Sequence, residues 1–228
     1  MNRIVITGAS QGIGLAIAKL FHTRGWSVII ASRNEKKLKE ICAQFPGMEY
    51  QKVDFSSKPE SVSFARKFSV TYGPPDILVN NAGIFKPGTI QDESDELFEE
   101  LISLNLNSAY YVTKNLLPAM KENGRGLIVN MCSVASIKAY PNGSSYAISK
   151  HALLGFSRAL REELKSTGIR VTAIIAGATW TPSWETSGFA EDKMIPAEDI
   201  ASVIWNTWNL SPRTVPEEIV LRPILGDL

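Results

Sequence analysis

Short runs rich in valine and isoleucine, each followed by a longer amphipathic stretch, constrain this chain more than any other feature. Strands are expected at residues 3–7, 27–32, 48–53, 76–79, 126–132 and 170–175. Their hydrophobicity is nearly continuous rather than alternating, the pattern of strands covered on both faces. Helical patterns at 12–24, 35–45, 59–72, 94–122, 145–166 and 197–208 fill the spaces between them. Strand and helix in strict turn build a parallel sheet with right-handed crossovers, so the expected class is α/β, doubly wound, with helices on both faces. Residues 217–222 are a candidate seventh strand, and Pro118 is expected to bend or end the fourth helix. No repeat, low-complexity tract or linker interrupts the pattern, and residues 1–228 read as a single domain.

Charge and composition exclude several partners. With 24 Lys+Arg against 23 Asp+Glu and a net charge of +1, the chain lacks the basic excess that nucleic-acid phosphates call for. Its longest apolar stretches, such as 171–176, fall far short of the roughly 18 residues of a membrane span. Only three apolar residues separate Arg3 from Thr7, too few for a secretory core of about 7–15, so a cytosolic location is expected. Cys42 and Cys132 have neither metal-ligand spacing nor the density of a disulfide scaffold, and each is expected to be reduced and buried, with no metal site.

Two long stretches without a pattern, 84–93 and 177–196, follow the carboxyl ends of strands, where open parallel sheets bind ligands. The second contains Trp180, Trp184 and Gly188, and its length suggests a lid over a site, its indoles either lining a pocket or packing on the body. The turn Thr7-Gly8-Ala9-Ser10-Gln11-Gly12-Ile13-Gly14 closes the first strand and opens the first helix. Its glycines allow a tight turn and close approach to a pyrophosphate, and the helix amino terminus offers unpaired N–H groups to the anion. This context makes the expected sheet Rossmann-type, with residues 8–14 holding a dinucleotide. The second strand ends at Ser32 and Arg33, where an acidic residue would take the ribose hydroxyls of NAD. A hydroxyl and a guanidinium suit a 2′-phosphate, so the expected cofactor is NADP(H).

With these motifs and those that follow, the chain resembles the single-domain short-chain dehydrogenase/reductase family from Arg3 to its carboxyl terminus. Asn80-Asn81-Ala82-Gly83 matches the family segment that supports the sheet and the adenosine side of the cofactor. Asp54 matches the residue that accepts from the adenine amino group. Asn105, Ser133, Tyr146 and Lys150 match the family's catalytic tetrad in order and context. The resemblance implies that Lys150 also holds the nicotinamide ribose, that Asn105 anchors a water passing protons to it, and that Thr179 and Thr181 lie near the carboxamide and diphosphate. Where the family has Pro-Gly, this chain has Ala176-Gly177, so Gly177 keeps the turn without the restriction of proline. The segments 177–184 and 212–223 are similar to sepiapterin-reductase-like members and, less closely, to 3-oxoacyl-carrier-protein reductases.

The catalytic chemistry follows from residue types as well. A phenol titrates near 10 in water, so an acid or base role at neutral pH calls for a nearby cation, and Lys150 lies four residues on from Tyr146 along one helix face. This spacing predicts a downward shift of the phenol. Ser133 at a strand's carboxyl end is placed to donate to a substrate carbonyl, where negative charge grows as hydride arrives. His151 and His22 are expected to be structural, and the acidic run 91–96 to start a helix capped by Ser94 or Asp92. The expected activity interconverts a ketone or aldehyde and an alcohol, with a flat pterin or a small carbonyl compound as the candidate substrate. A non-catalytic dinucleotide sensor or scaffold, or a dehydratase or epimerase on the same frame, are the alternatives. Leu97, Leu101, Leu104, Leu153 and Leu160 exceed what one sheet face needs, and with the family's usual contact along 94–122 and 145–166 they predict a homodimer or homotetramer.

Overall fold

The protein is described in a computed structural model that covers residues 1–185, 188 and 190–226. Its strands are β1 (Arg3–Thr7), β2 (Ser27–Ser32), β3 (Glu49–Lys52), β4 (Ile77–Asn80), β5 (Gly126–Ser133), β6 (Ile169–Ala176) and β7 (Glu218–Leu221). Its helices are α1 (Gly12–Thr23), α2 (Glu35–Gln44), α3 (Lys58–Tyr72), α4 (Asp95–Ile102), α5 (Ser108–Asn123), α6 (Ser144–Leu164) and α7 (Ala197–Asn209). The strands form one sheet in the order β3-β2-β1-β4-β5-β6-β7, every pairing parallel.

Alternate residues of each central strand feed two cores. Ile4, Ile6, Val28 and Ile30 pack with Ile17 and Phe21 of α1, Leu38 of α2 and Ile204 of α7. Val5, Ile29 and Ala31 pack on the other face with Phe64 and Phe68 of α3, Val112 and Leu116 of α5 and Leu160 of α6. Each fully buried aliphatic side chain contributes roughly 1.5–3 kcal/mol, and a two-sided strand draws on both faces. The doubly wound class is thus observed. Strand order reverses between β1 and β4, and the crevice this opens at their carboxyl ends is where such sheets take ligands.

Four expectations need correction. The segment 48–53 is not a doubly covered strand: β3 is the edge, and Glu49 and Lys52 are exposed. The single helix at 94–122 is two, because Ser103–Asn107 forms a π turn between α4 and α5, while α5 runs on through Pro118 to Asn123. Leu101, Leu104, Leu153 and Leu160 are not surplus, since all four are buried within the chain's own core and Leu97 is half-buried. Cys132 is buried as expected, but Cys42 is only half-buried. The seventh strand is present, Glu218 to Leu221 pairing with Ala173 to Ala176, and Ser94 stands at the N-cap position of α4 but makes no side-chain capping bond. Among the described residues, no helix is long and apolar enough to cross a membrane, and no metal-holding group of His, Cys, Asp and Glu occurs.

Two ion pairs fasten β7 to α6: Arg158 donates to both Glu218 oxygens at 2.7 and 3.2 Å, and Arg161 to Glu217 at 3.0 Å. The Arg158 hydrogen bond and charge hold the Glu218 carboxyl below its ordinary value of 4.5. A depressed carboxyl adds stability above its unfolded value that is lost as pH falls through the folded one. Because the pair is partly exposed, Glu218→Gln should cost only about 0.5 kcal/mol at neutral pH. The difference from the parent should vanish below the carboxylate range in urea denaturation, and a difference that persists at acidic pH would exclude the ionic origin.

Candidate active site

The crevice is organised around Thr7, Gly8 and Asn81. The Asn81 carboxamide donates to the carbonyls of Thr7 and Gly8 at 2.9 and 3.0 Å, and the backbone N–H groups of Asn81 and Ala82 donate to the Thr7 hydroxyl at 3.0 Å. This lock brings the glycine turn and the 81–83 segment into contact. A Cβ on Gly8 would come within 2.7 Å of the Ala82 Cα, and one on Gly14 within 2.6 Å of Asn81 Nδ2 and 2.9 Å of the Ala9 Cα. Gly8 and Gly12 also take positive φ, so both sterics and backbone geometry call for glycine.

The amino terminus of α1, which follows Ser10 and Gln11 and begins at Gly12 and Ile13, has no side-chain cap and no acidic residue in its first turn. Ser32 is buried at the end of β2 with its hydroxyl unpartnered, and Arg33 beside it is exposed. Across the glycine turn, Lys37 of α2 donates to the Gln11 side chain at 2.7 Å. Burial pushes the Asp54 carboxyl up, but hydrogen bonds from the Ser56 hydroxyl and N–H together with the Arg33 charge outweigh it and hold Asp54 below its ordinary value. The loop after β6 reaches the same place. Gly177 donates to the Leu221 carbonyl at 2.8 Å, Thr179 is buried and bridges to Ile195, and the Thr181 methyl lies against Gly12. Ala176, where the family has proline, simply completes β6 opposite Leu221. Trp180 and Trp184 are half-buried; the expected lid at 177–196 includes residues 186, 187 and 189, which lie outside the described residues.

On the β4–β5 side, Asn105 sits in the π turn and is buried. Such turns are frequent at functional sites. Its Oδ1 accepts from the Ile84 N–H at 2.8 Å, and its Nδ2 donates to the Ile84 carbonyl and the Ser149 hydroxyl at 3.0 Å each. A Cβ on Gly83 would meet Asn105 Oδ1 at 3.0 Å and Lys150 Nζ at 3.6 Å, so Gly83 lets the two side chains flank the turn. Asn105 therefore clamps a loop to α6 in this structure. Ser133 ends β5 and caps the following turn, accepting from the Ala135 N–H at 3.1 Å. Ser133 also lies near enough to the Tyr146 phenol to pull its pKa down.

Tyr146 and Lys150 share one face of α6, with Nζ 5.8 Å from the phenol ring centroid. The expected downward shift of the phenol is not found. Burial pushes Tyr146 up, and the Ser133 hydrogen bond only partly offsets it. Lys150 is buried, which pushes its ammonium down, and its Nζ donates to the Met131 carbonyl at 2.8 Å rather than to the phenol.

Four contacts escaped the sequence reading. Lys37 reaches the glycine turn through Gln11. Glu93 looked like part of a helix start, yet it accepts from Ser145, immediately before Tyr146. Phe85 meets the Tyr146 ring edge-on, with centroids 5.0 Å apart, and the Tyr140 phenol is near enough to feel the Tyr146 charge. Three of these contacts join segments distant in sequence, and Tyr140 meets Tyr146 across the loop that leads into α6; local patterns carry no signal for any of them. His151 is exposed and bonds the Ala147 carbonyl, and His22 bonds that of Pro46, as structural residues do.

A doubly wound sheet with a glycine turn at its switch point and a tyrosine–lysine helix face across the crevice defines a nucleotide-dependent oxidoreductase. The chain belongs to the short-chain dehydrogenase family: the sequence profile described as short chain dehydrogenase matches residues 2–191. It is 31% identical over 226 residues to an uncharacterized oxidoreductase of Staphylococcus saprophyticus, covering 96% of both chains. An uncharacterized oxidoreductase of Staphylococcus epidermidis is 30% identical over 221 residues, again with 96% of both covered. Among solved structures, an alcohol dehydrogenase from the archaeon Thermococcus sibiricus complexed with 5-hydroxy-NADP superposes with a TM-score of 0.91 at 27% identity, over 100% of this chain and 99% of that one. An actinorhodin polyketide ketoreductase variant with NADPH gives 0.89 at 27% identity, over 100% and 98%.

Two glycines inside helices separate packing from backbone effects. Gly14→Ala should destabilise by about 1–3 kcal/mol because the added methyl meets backbone. Gly155→Ala, in α6 with open space around it and no positive φ, should stabilise by up to about 1 kcal/mol. Chemical denaturation of both variants checks this, and equal effects would contradict the close approach at Gly14.

Proposed function

We propose that this single domain is an NADP(H)-dependent reductase that interconverts a ketone or aldehyde and an alcohol, with Tyr146 as the proton donor. The observation that carries the reading is the shared face of α6 on which the Tyr146 phenol ring lies 5.8 Å from the Nζ of buried Lys150, with Ser133 at the end of β5 near enough to pull the phenol pKa down. The residues fit the dinucleotide: glycines with no room for a side chain, an uncapped helix amino terminus, and the orphaned buried hydroxyl of Ser32 beside Arg33. Gly8, Ser10, Gln11, Gly12, Ile13 and Gly14 would hold the diphosphate, with Gly177, Thr179 and Thr181 closing over it. Ser32 and Arg33 would hold the 2′-phosphate, while Asp54, Asn81, Ala82 and Gly83 would line the adenosine side. When bound, the nicotinamide supplies hydride to the carbonyl carbon. Ser133 donates to the carbonyl oxygen and orients it. Tyr146, kept protonated at neutral pH by its raised pKa, gives that oxygen its proton. Lys150 would stabilise the phenolate left behind and hold the ribose, and Asn105 keeps the 84–93 loop and α6 in register.

The same reading extends to assembly and location. Phe98, Tyr110 and Ile148 are large apolar side chains exposed on α4, α5 and α6, and pairing of this face in a homodimer or homotetramer would cover them. The free thiols of Cys42 and Cys132, pushed up by burial, suit a reducing cytoplasm.

One assay addresses both halves of the chemistry. With a panel of ketones, turnover with NADPH should exceed that with NADH, and Ser32→Asp combined with Arg33→Ala should reverse the preference. Tyr146→Phe should lower kcat by at least about a hundredfold with NADPH binding nearly unchanged. Equal efficiency with both cofactors would defeat the cofactor assignment, and near-parental kcat in Tyr146→Phe would remove the proposed donor. Sedimentation at micromolar concentration should give a dimer or tetramer, and Tyr110→Glu should shift it toward monomer; a monomeric parent would refute the interface.

A further inference from the structure

Several large aromatic rings of this protein pack in its core. Phe21, Trp26, Trp205 and Trp208 pack edge to face in one cluster, and Phe55, Phe64 and Phe68 in another. Phe85 and Tyr140 depart from this pattern, because they are 51% and 37% exposed and both adjoin Tyr146. The Phe85 ring stands at 84° to the Tyr146 ring with centroids 5.0 Å apart. The Tyr140 ring presses on the backbone that leads into α6, so close that a Cβ on Gly143 would come within 2.5 Å of its Cε2.

These two rings belong to different loops, one after β4 and one before α6, and hydrogen bonds tie those loops together. Gly88 pairs with Gly143, the Gly88 N–H donates to the Asn142 carbonyl at 3.1 Å, and the Ser144 N–H to the Gly88 carbonyl at 3.3 Å. The Glu93 carboxylate accepts from Ser145 across the same seam. Gly88 itself has no room for a side chain, since a Cβ would meet Glu93 Oε2 at 2.8 Å. Backbone pairing and a carboxylate thus join the two loops that carry these solvent-facing rings beside Tyr146, an arrangement that suits a flat apolar group. The nearby cation Lys86 is engaged by Glu100 at 2.5 Å. Burial and the neighbouring Tyr146 push the Tyr140 phenol up to about 12, so this wall is uncharged at neutral pH and offers one hydroxyl.

We propose that Phe85 and Tyr140 form an aromatic-walled subsite that selects aryl ketones and aldehydes, the substrate ring packing on these two side chains and its carbonyl facing Tyr146 and Ser133. The proposal rests on the reductase reading above. The reaction is balanced by NADPH and one proton: hydride forms the new C–H bond as the carbonyl π bond breaks, Tyr146 gives its proton to the oxygen, and solvent restores it, leaving NADP⁺ and the alcohol.

The test compares acetophenone with cyclohexyl methyl ketone, which has the same carbon skeleton without the flat ring. In the parent, kcat/KM with NADPH should favour acetophenone by about tenfold. Phe85→Leu and Tyr140→Leu, which keep bulk and remove the ring, should each bring the ratio toward one. Tyr140→Phe should retain the preference for unsubstituted acetophenone. Calorimetry of both ketones on the NADP⁺-saturated protein reads the subsite independently of turnover. A parental ratio near one, or a ratio unchanged in both leucine variants, overturns the proposal. Absence of turnover with every carbonyl, together with tighter binding of acetophenone that the leucine variants abolish, upholds the subsite and instead overturns the reductase reading. Thermal melts confirm folding, and since both side chains are solvent-facing their replacement leaves the core intact.

Discussion

The site hangs from one carboxamide. Asn81 has spent both of its N–H donors on the carbonyls of Thr7 and Gly8, at the point where the strands on either side of β1 lead their chains to opposite faces of the sheet. Strand order alone opens the crevice there, but nothing in a parallel ladder fixes how the loops at its mouth meet. The Asn81 bonds do so, and the Thr7 hydroxyl adds two more by accepting from Asn81 and Ala82. Buried polar groups without partners cost roughly 1–3 kcal/mol each, so this arrangement has few alternatives. Gly8 and Gly14 are then required, since the carboxamide and its neighbours occupy the space a side chain would need.

A second polar chain does the same for α6, the helix that carries Tyr146 and Lys150. The Asn80 amide donates to Thr113 on α5 and to Asn130 on β5, Asn130 donates to Ser157 on α6, and Ser157 donates to the Leu153 carbonyl. Hydrogen bonds in a low-dielectric interior hold geometry tightly, because a shift of one residue leaves several groups unpaired. Through this chain α6 is registered to β4 and β5 below the site, while Asn105 and Glu93 register it above, to Ile84 and to the amino-terminal end of the helix. Tyr146 and Lys150 are thereby carried on an element fixed at several levels, and the π turn that points Asn105 inward is part of that fixation.

How much of this was legible depended on whether the controlling contact was local. The central strands are legible because residues such as Val5, Ile6, Ile29 and Ile30 alternate between two cores and the run is nearly continuously apolar. β3 was misread because Met48 and Val53, which gave the segment its apolar ends, lie outside the strand, and Glu49 to Lys52 form an edge. The split of α4 from α5 was invisible: one wider turn shifts the phase of a helical pattern too little for periodicity to register. Leu101, Leu104, Leu153 and Leu160 looked surplus because a sequence does not reveal that two helices share one side of the sheet, whereas the exposed residues Phe98, Tyr110 and Ile148 are individually unremarked. The glycine turn and the Tyr146–Lys150 spacing were legible since each is a local requirement. Lys37, Glu93, Phe85 and Tyr140 were not, because their significance comes entirely from partners on other segments.

The shift of Tyr146 shows how position alters an expectation based on spacing. Four residues along a helix bring Lys150 beneath the ring, but its Nζ is drawn to the Met131 carbonyl, so the cation does not reach the phenolic oxygen directly. Burial disfavours charge on both groups, raising the phenol and lowering the ammonium. The resting phenol is accordingly a stable proton holder, the form a donor to a carbonyl oxygen needs. In the proposed reaction the balance changes only as the proton leaves. A phenolate in that low-dielectric setting would attract the Lys150 cation strongly. Lys150 then acts on the product of proton transfer rather than on the ground state, which is the condition for lowering a barrier instead of merely shifting a titration.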